Sequence, residues 1–364
     1  MKMKLFRYLL GAFALMSLAM GCSELGGIDD DTSFLSTAAS GNFSKVFDIS
    51  NDNSGDVKIT PLGDGFSSAT INFGHGTGAS ASAVVSPGAS AKHAYPEGNY
   101  TVTIDYYDIA GNKTTASYPL TVTYRAPEDL KVTISGEVKV KAEAKYAKSF
   151  LVYYGDKANE VGTPLAIGQE LPAHSYPATG GPFTLKVEAL SGGAAKATYT
   201  KALFGFPIDY EHASVDYFFG TFGDGQKFEK VDNPNPSGLN TSAKVGKFIR
   251  GHQGWSGTYS PMNIPINFAH GNKIKVLGYN PDPALIGKTL NVELEWSIDG
   301  PGNGVGVLKV PFTKSGEWEE LVFDFSTIAA IPPTTKFTQL VLRFNDTADG
   351  AGAVVYVDNF RLTN

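Results

Sequence analysis

The chain has 364 residues, with 30 Lys and Arg against 36 Asp and Glu, 41 Gly, 17 Tyr, 23 Phe and one cysteine, Cys22. An acidic balance without a run of basic residues argues against nucleic-acid binding, which rests on clustered Lys and Arg. A single cysteine excludes a disulfide within the chain, so stability has to come from buried cores or bound metal. Abundant aromatic, Thr and Gly sequence with few long helical periodicities predicts an all-β chain, and the length suggests two or three domains.

Lys2, Lys4 and Arg7 precede an apolar stretch from Leu9 to Met20, and Leu18-Ala19-Met20-Gly21-Cys22 closes it. A basic start, a short apolar run and small residues before a cut predict a secretory signal peptide over residues 1–21. The run is too short to span a bilayer as a helix. A cysteine directly after a small residue resembles the lipobox of bacterial lipoproteins, although Ala19 stands where that pattern usually has Leu. The resemblance implies acylation of Cys22 and an outer-membrane lipoprotein exposed at the cell surface. Without Lys2, Lys4 and Arg7 the chain carries 27 basic against 36 acidic residues, a net charge of −9. Residues 22–42 are polar, with Asp29-Asp30-Asp31, and read as a flexible tether. The acidic run resembles the export signal of Bacteroidetes lipoproteins and equally suits a solvated linker.

Residues 43–125 show short alternating strands broken by turns. In Tyr100 to Tyr106, Tyr100, Val102 and Ile104 face one way and Thr101, Thr103 and Asp105 the other, which predicts a sheet with one buried face. Ala110-Gly111-Asn112 is a hairpin-type turn. Asn72-Phe73-Gly74-His75-Gly76-Thr77 and His93-Ala94-Tyr95, followed by Gly98 and Tyr100-Thr101-Val102, resemble the PKD domain, an immunoglobulin-like sandwich. His75 stands where that family has Asp, at the expense of a turn-capping carboxylate.

A weaker copy follows over residues 126–205. Tyr154-Gly155-Asp156 matches the first turn and His174-Ser175-Tyr176 the second mark, with 19 positions from Gly74 to His93 and again from Gly155 to His174. Phe183 to Val187 then stands for Tyr100 to Ile104. Equal spacing of paired marks is an internal-repeat signal. His93 and His174 are read as turn hydrogen-bonding groups, because neither domain offers a second metal ligand at a suitable spacing. The two modules read as spacers.

Composition shifts over residues 206–364, which hold Trp255, Trp296 and Trp318 and long Gly/Asn/Pro loops. Strands are predicted near 273–278, 290–296, 306–311, 320–325, 339–344 and 353–362. Several strands joined by such loops suggest a two-sheet jelly roll. The order of Asp209-Tyr210-Glu211, Val231-Asp232-Asn233-Pro234, Ser237-Gly238-Leu239-Asn240-Thr241-Ser242, Trp255-Ser256-Gly257, Gly316 to Phe325 and Tyr356-Val357-Asp358-Asn359-Phe360 resembles β-sandwich carbohydrate-binding modules of Bacteroidetes glycan-binding lipoproteins and of laminarinases.

Sugars present apolar CH faces to flat rings and hydroxyls to polar side chains. Trp255, in the Gly-rich loop His252 to Tyr259, is the expected stacking residue, with Tyr259 beside it. Trp296 shares the parity of the apolar Leu290, Val292 and Leu294 yet ends its strand, so it belongs either to the core or to the rim of a site. Trp318 opens a strand after a Gly turn and reads as structural. Glu293 and Glu295, with Asn291, alternate with the apolar set, as do Arg343 and Asn345; that face is either solvated or the partner of sugar hydroxyls. Glu211 and Asp358 lie near opposite ends of the domain. In modules of this type the first and last strands lie together and often share calcium, so the resemblance implies a structural calcium on Glu211 and Asp358, whose carboxylates suit that ion.

No Ser-His-Asp order, His-Glu-x-x-His motif or phosphate-cradling loop is present. Glu293 and Glu295 share one strand face and cannot by themselves flank a scissile bond as a glycosidase pair does. The resemblance implies a non-enzymatic surface glycan-binding lipoprotein for polysaccharide, β-1,3-glucan of the laminarin type, handed to a neighbouring outer-membrane transporter. A surface adhesin or structural protein built from the same sandwiches is the alternative.

Overall fold

The computed structural model of the chain describes residues 33–178, 181–298, 306–347 and 350–364. The signal peptide, Cys22 and the acidic run lie outside them. After a short helical turn at Ser33–Ser36 everything regular is strand or single-turn 3-10 helix. The chain divides into two compact units, up to Thr123 and from Tyr124 onward.

The first unit has strands β1 (Gly41–Ile49), β2 (Asp56–Asp64), β3 (Phe66–Asn72), β4 (Ser82–Val85), β5 (Ala91–Ala94), β6 (Gly98–Asp108) and β7 (Lys113–Val122). They form two antiparallel sheets, β1-β2-β5 and β4-β3-β6-β7. Val57, Ile59, Ala69, Ile71, Val102 and Ile104 are fully buried between them. Alternation along β6 decides which face is inside, since a slip by one residue would bring Thr101 and Thr103 into the core.

The second unit opens with β8 (Glu128–Ser135), β9 (Lys139–Lys145), β10 (Ser149–Tyr153), β11 (Thr163–Leu165), β12 (Thr184–Leu190) and β13 (Lys196–Ala202). The order β11-β10-β12-β13 repeats β4-β3-β6-β7 of the first sandwich, and a bridge from Lys141 to Glu170 takes the place of the β2–β5 pairing. The two turns superpose in chemistry. Tyr95 Oη donates to Phe73 O at 3.0 Å, and Tyr176 Oη donates to Tyr154 O at 2.9 Å. Gly74 and Gly155 have φ of 68° and 75°, and an added Cβ would lie 2.2 Å from Thr101 O and 2.5 Å from Thr184 O, so only glycine fits.

The rest of this unit is a sandwich of two five-stranded antiparallel sheets. Its strands are β14 (Gly220–Phe222), β15 (Lys227–Asp232), β16 (Lys244–Ile249), β17 (Gly257–Asn267), β18 (Lys273–Tyr279), β19 (Thr289–Ser297), β20 (Val307–Pro311), β21 (Trp318–Asp324), β22 (Lys336–Phe344) and β23 (Val354–Thr363). One sheet runs β14-β17-β22-β19-β20 and the other β15-β16-β23-β18-β21, the two-sheet arrangement of a jelly roll. Val276, Val292, Leu294, Phe323, Leu340, Leu342, Val355 and Phe360 fill the space between the sheets. Trp318 is structural: it is 3% exposed and its Nε1 donates to Asn235 O at 2.8 Å.

The second sandwich is more than a link. Strand β17 loses its register between Pro261 and Ile266. The irregular stretch turns Ile264 onto the core of the second sandwich, while Met262 and Ile266 stay in the jelly-roll core. Phe204 O accepts the N–H groups of Asn263 (2.8 Å) and Ile264 (3.0 Å), and Glu137 pairs with Lys336. The two sandwiches therefore share one compact unit.

Candidate functional site

The outer face of β14-β17-β22-β19-β20 is a grid set by strand register. One row is Phe222, Gly257, Arg343 and Asn291; the next is Gly220, Tyr259, Val341 and Glu293; the third is Pro261, Gln339 and Glu295. The intervening residues Thr258, Ser260, Val292, Leu294, Leu340 and Leu342 face inward and are fully buried. Period-2 alternation thus puts every groove residue on the same parity along each strand.

Two glycines let the aromatic rings lie down across the sheet. A Cβ on Gly220 would stand 2.4 Å from the Tyr259 ring, and one on Gly257 would stand 2.6 Å from Arg343 Cγ and 2.8 Å from Phe222 Cζ. Trp255, 57% exposed, lies with its ring plane within 2° of that of Phe222 at a centroid separation of 6.4 Å. The separation and the parallel planes are those of an offset-stacked pair, and both rings line the groove.

The loop that carries Trp255 is tied down on both sides. Asp224 N donates to Gln253 Oε1 at 2.7 Å, Ser256 Oγ donates to Gln253 O at 2.7 Å, and Gly251 N donates to Gln226 Oε1 at 3.0 Å. Arg250, 1% exposed beneath the loop, donates to Gly251 O and to Thr347 O. A ring held by such a frame loses little freedom when a ligand arrives.

Phe222, Trp255, Tyr259, Glu293, Glu295, Gln339, Val341 and Arg343 together line an open groove of about 440 Å³. Its polar floor is already paired: Arg343 Nη2 donates to Glu293 Oε2 at 2.9 Å, and Gln339 Nε2 donates to Glu295. Burial pushes the Glu293 carboxyl above the usual range; Arg343 opposes the shift and Glu295 adds to it. The groove carries two carboxylates and one guanidinium, with aromatic walls. Such a set can stack on an apolar ring face and exchange hydrogen bonds with several hydroxyls. Glu293 and Glu295 are two residues apart on β19, side by side on one floor.

The register gathers Tyr259, Glu293, Glu295 and Arg343 from the sequence-derived set, and the loop before β17 adds Trp255. Asn345 does not belong there. It lies just past the end of β22 with φ of 45°, is 4% exposed, and accepts from Thr347 Oγ1 at 2.7 Å. The positive φ breaks the alternation that would have carried it to the groove. Trp296 escapes its parity for the same reason. Its φ of 57° swings it out of the core row to 52% exposure, and it is not among the residues lining the groove. Phe222, Gln339 and Val341 were missed. Gln339 and Val341 share the parity of Arg343, which is a legible signal, whereas Phe222 sits on a three-residue strand with no periodicity to read.

Glu211 and Asp358 come to one corner, on either side of residues 242–244. Glu211 Oε1 accepts Lys244 N at 2.7 Å; Asp358 Oδ2 accepts Asn240 Nδ2 at 2.8 Å and Ser242 Oγ at 2.5 Å, and its Oδ1 accepts Asn359 N at 2.7 Å. Asp358 is 1% exposed, and burial pushes its carboxyl up to about 6, with Asp209 adding to the rise against those hydrogen bonds. Among the described residues no group of three or more His, Cys, Asp and Glu comes together as a metal cage. The donors are all oxygen and the buried carboxylate has no ion-pair partner among the described pairs, a chemistry that fits calcium if backbone carbonyls complete it.

No protein-family model and no curated protein sequence matches the chain. Among solved structures, a Clostridium thermocellum xylanase fragment with a family 22 carbohydrate-binding module, in complex with xylohexaose, is 16% identical over 44% of this chain and 28% of its own length, with a TM-score of 0.28. A family 11 carbohydrate-binding module of a C. thermocellum cellulosomal cellulase is 16% identical over 43% of this chain and 92% of its own, at a TM-score of 0.30. A carbohydrate-binding module structure of the β-sandwich superfamily is 12% identical over 88% and 98% of the two chains, at a TM-score of 0.20. At these TM-scores the reading of the site rests on its own geometry.

Proposed function

We propose that this chain is a non-enzymatic glycan-binding protein that holds a polysaccharide along the groove of its C-terminal sandwich. The single observation that carries the reading is the set of aromatic rings, parallel Trp255 and Phe222 with Tyr259, lining one groove with the hydrogen-bonding floor of Glu293, Glu295, Gln339 and Arg343. Sugar CH faces stack on the rings, and hydroxyls exchange hydrogen bonds with the floor. Laminarin-type β-1,3-glucan is the preferred ligand on the strength of the sequence motifs alone. Acylation at Cys22 would tether the protein to the outer face of the outer membrane, beside a transporter that receives the glycan. A calcium ion held by Glu211 and Asp358 would relieve the buried negative charge of that corner, in a structural role.

Affinity electrophoresis of the chain against a glycan panel tests the reading. Retardation by laminarin, lost in Trp255→Ala, is the expected result. Unaltered migration in every polysaccharide would favour the adhesin alternative, and release of reducing sugar from laminarin would favour an enzyme.

A further inference from the structure

The two immunoglobulin-like sandwiches differ at one matched pair of turn residues. In the second, His174 Nε2 meets Asp156 Oδ2 at 2.8 Å, and the imidazole stacks on Tyr154 with ring centroids 3.7 Å apart. In the first, the Asp position is His75, and its Nδ1 meets His93 Nε2 at 3.0 Å, with His93 stacked on Phe73 at 4.2 Å. The second ligand that sequence spacing did not offer His93 is therefore His75, brought there by the fold. His75 follows β3 in one sheet and His93 sits on β5 in the other.

We propose that His75 Nδ1 and His93 Nε2 form a two-nitrogen site for a divalent first-row transition metal, with Cu²⁺ bound ahead of Zn²⁺, bridging the two sheets of the first sandwich. Imidazole nitrogen coordinates such metals at about 2.0–2.1 Å. Two nitrogens 3.0 Å apart then subtend roughly a right angle at the metal, the cis angle of the square-planar or tetragonal geometry that Cu²⁺ prefers. As the pair stands, one ring donates its N–H to the lone pair of the other. Metal binding needs this proton to occupy the donor ring's other nitrogen and the rings to turn so that both lone pairs converge on the ion, and no net proton is released. The surroundings leave the two lone pairs uncontested. Tyr95 Oη is committed to Phe73 O and Tyr100 Oη to Pro96 O. Both histidines are half-buried, so solvent reaches the remaining coordination positions. In a sandwich that cannot form a disulfide, such an ion would fasten one sheet to the other.

The test is calorimetric titration of the tag-free mature chain with Cu²⁺ and with Zn²⁺, with electron paramagnetic resonance of the copper-loaded protein. His75→Asp is the key variant, because it recreates the His–Asp pair that the second sandwich already accommodates. One Cu²⁺ per chain, a nitrogen hyperfine pattern, and at least tenfold weaker binding in both His75→Asp and His93→Gln are expected, with His174→Gln unchanged. A Cu²⁺ isotherm that is the same in His75→Asp and in the parent chain, or that is lost in His174→Gln, would overturn the site.

Discussion

The two faces of the sheet β14-β17-β22-β19-β20 are built from the same strands and obey opposite rules. The inner face is fully buried and mostly aliphatic, with Val292, Leu294, Leu340 and Leu342 beside Thr258 and Ser260. The outer face sets Glu293, Glu295, Gln339 and Arg343 one residue away and leaves them half-exposed beneath Trp255 and Tyr259. A one-residue slip in any strand would exchange the faces, so the buried side fixes the register that assembles the groove. The groove needs little stability of its own: its carboxylates are hydrogen-bonded by Arg343 and Gln339, and its main aromatic residue stands in solvent on a braced loop.

This contrast can be broken in order of size. Leu342→Ala on the inner face should cost about 2–5 kcal/mol of unfolding free energy, read by denaturant titration. A cost below about 1 kcal/mol would mean that the inner face is not the core that sets the register.

Asp358 gives the next effect. Burial holds its carboxyl up at about 6 in the folded protein, above the usual carboxylate range. The folded state then binds a proton that the unfolded state has released, so this group's contribution to stability falls as pH rises from about 4 to about 6 and is level on either side. The contribution at stake is about 3 kcal/mol. Thermal melts in chelator should show that slope, and Asp358→Asn should flatten it. If calcium occupies the corner, adding the ion should raise the melting temperature near pH 7 and reduce the slope. No response to either calcium or chelator would remove the ion from the account.

Trp255→Ala tests the outer face. Affinity for laminarin should drop tenfold to a hundredfold, about 1.4–2.7 kcal/mol, while the melting temperature stays within a degree or two. Unfolding on this substitution would place Trp255 among the structural residues. Glu293 gives the smallest effect. Burial raises its pKa, so the carboxylate is lost at a higher pH than an ordinary glutamate's, and affinity should decline severalfold as pH is lowered from 7 to 4.5. Glu293→Gln should bind with no pH dependence over that range, and an unchanged slope in this variant would move the titrating group elsewhere.

Much of the groove was legible. The alternation in β19 announces Glu293 and Glu295, the glycines around Trp255 announce a loop, and Arg343 follows from β22. What alternation could not reveal were its own exceptions. Trp296 and Asn345 both take positive φ at a strand end, one thrown outward and the other turned in, and nothing in a run of residue types encodes that choice. Phe222 was hidden because β14 is too short to carry a period.

The sequence by itself determined the all-β class, many of the strands and the parity of their side chains, the internal repeat and the absence of a disulfide, because each depends on neighbours in the chain or on composition. Only the tertiary structure decided which strands pair, and therefore that Tyr259, Val341 and Glu293 share a row. It also joined the second sandwich to the jelly roll through Ile264 and set His75 against His93. These contacts link residues far apart in sequence, and the burial of two complementary faces, a property of the whole sandwich, selects them.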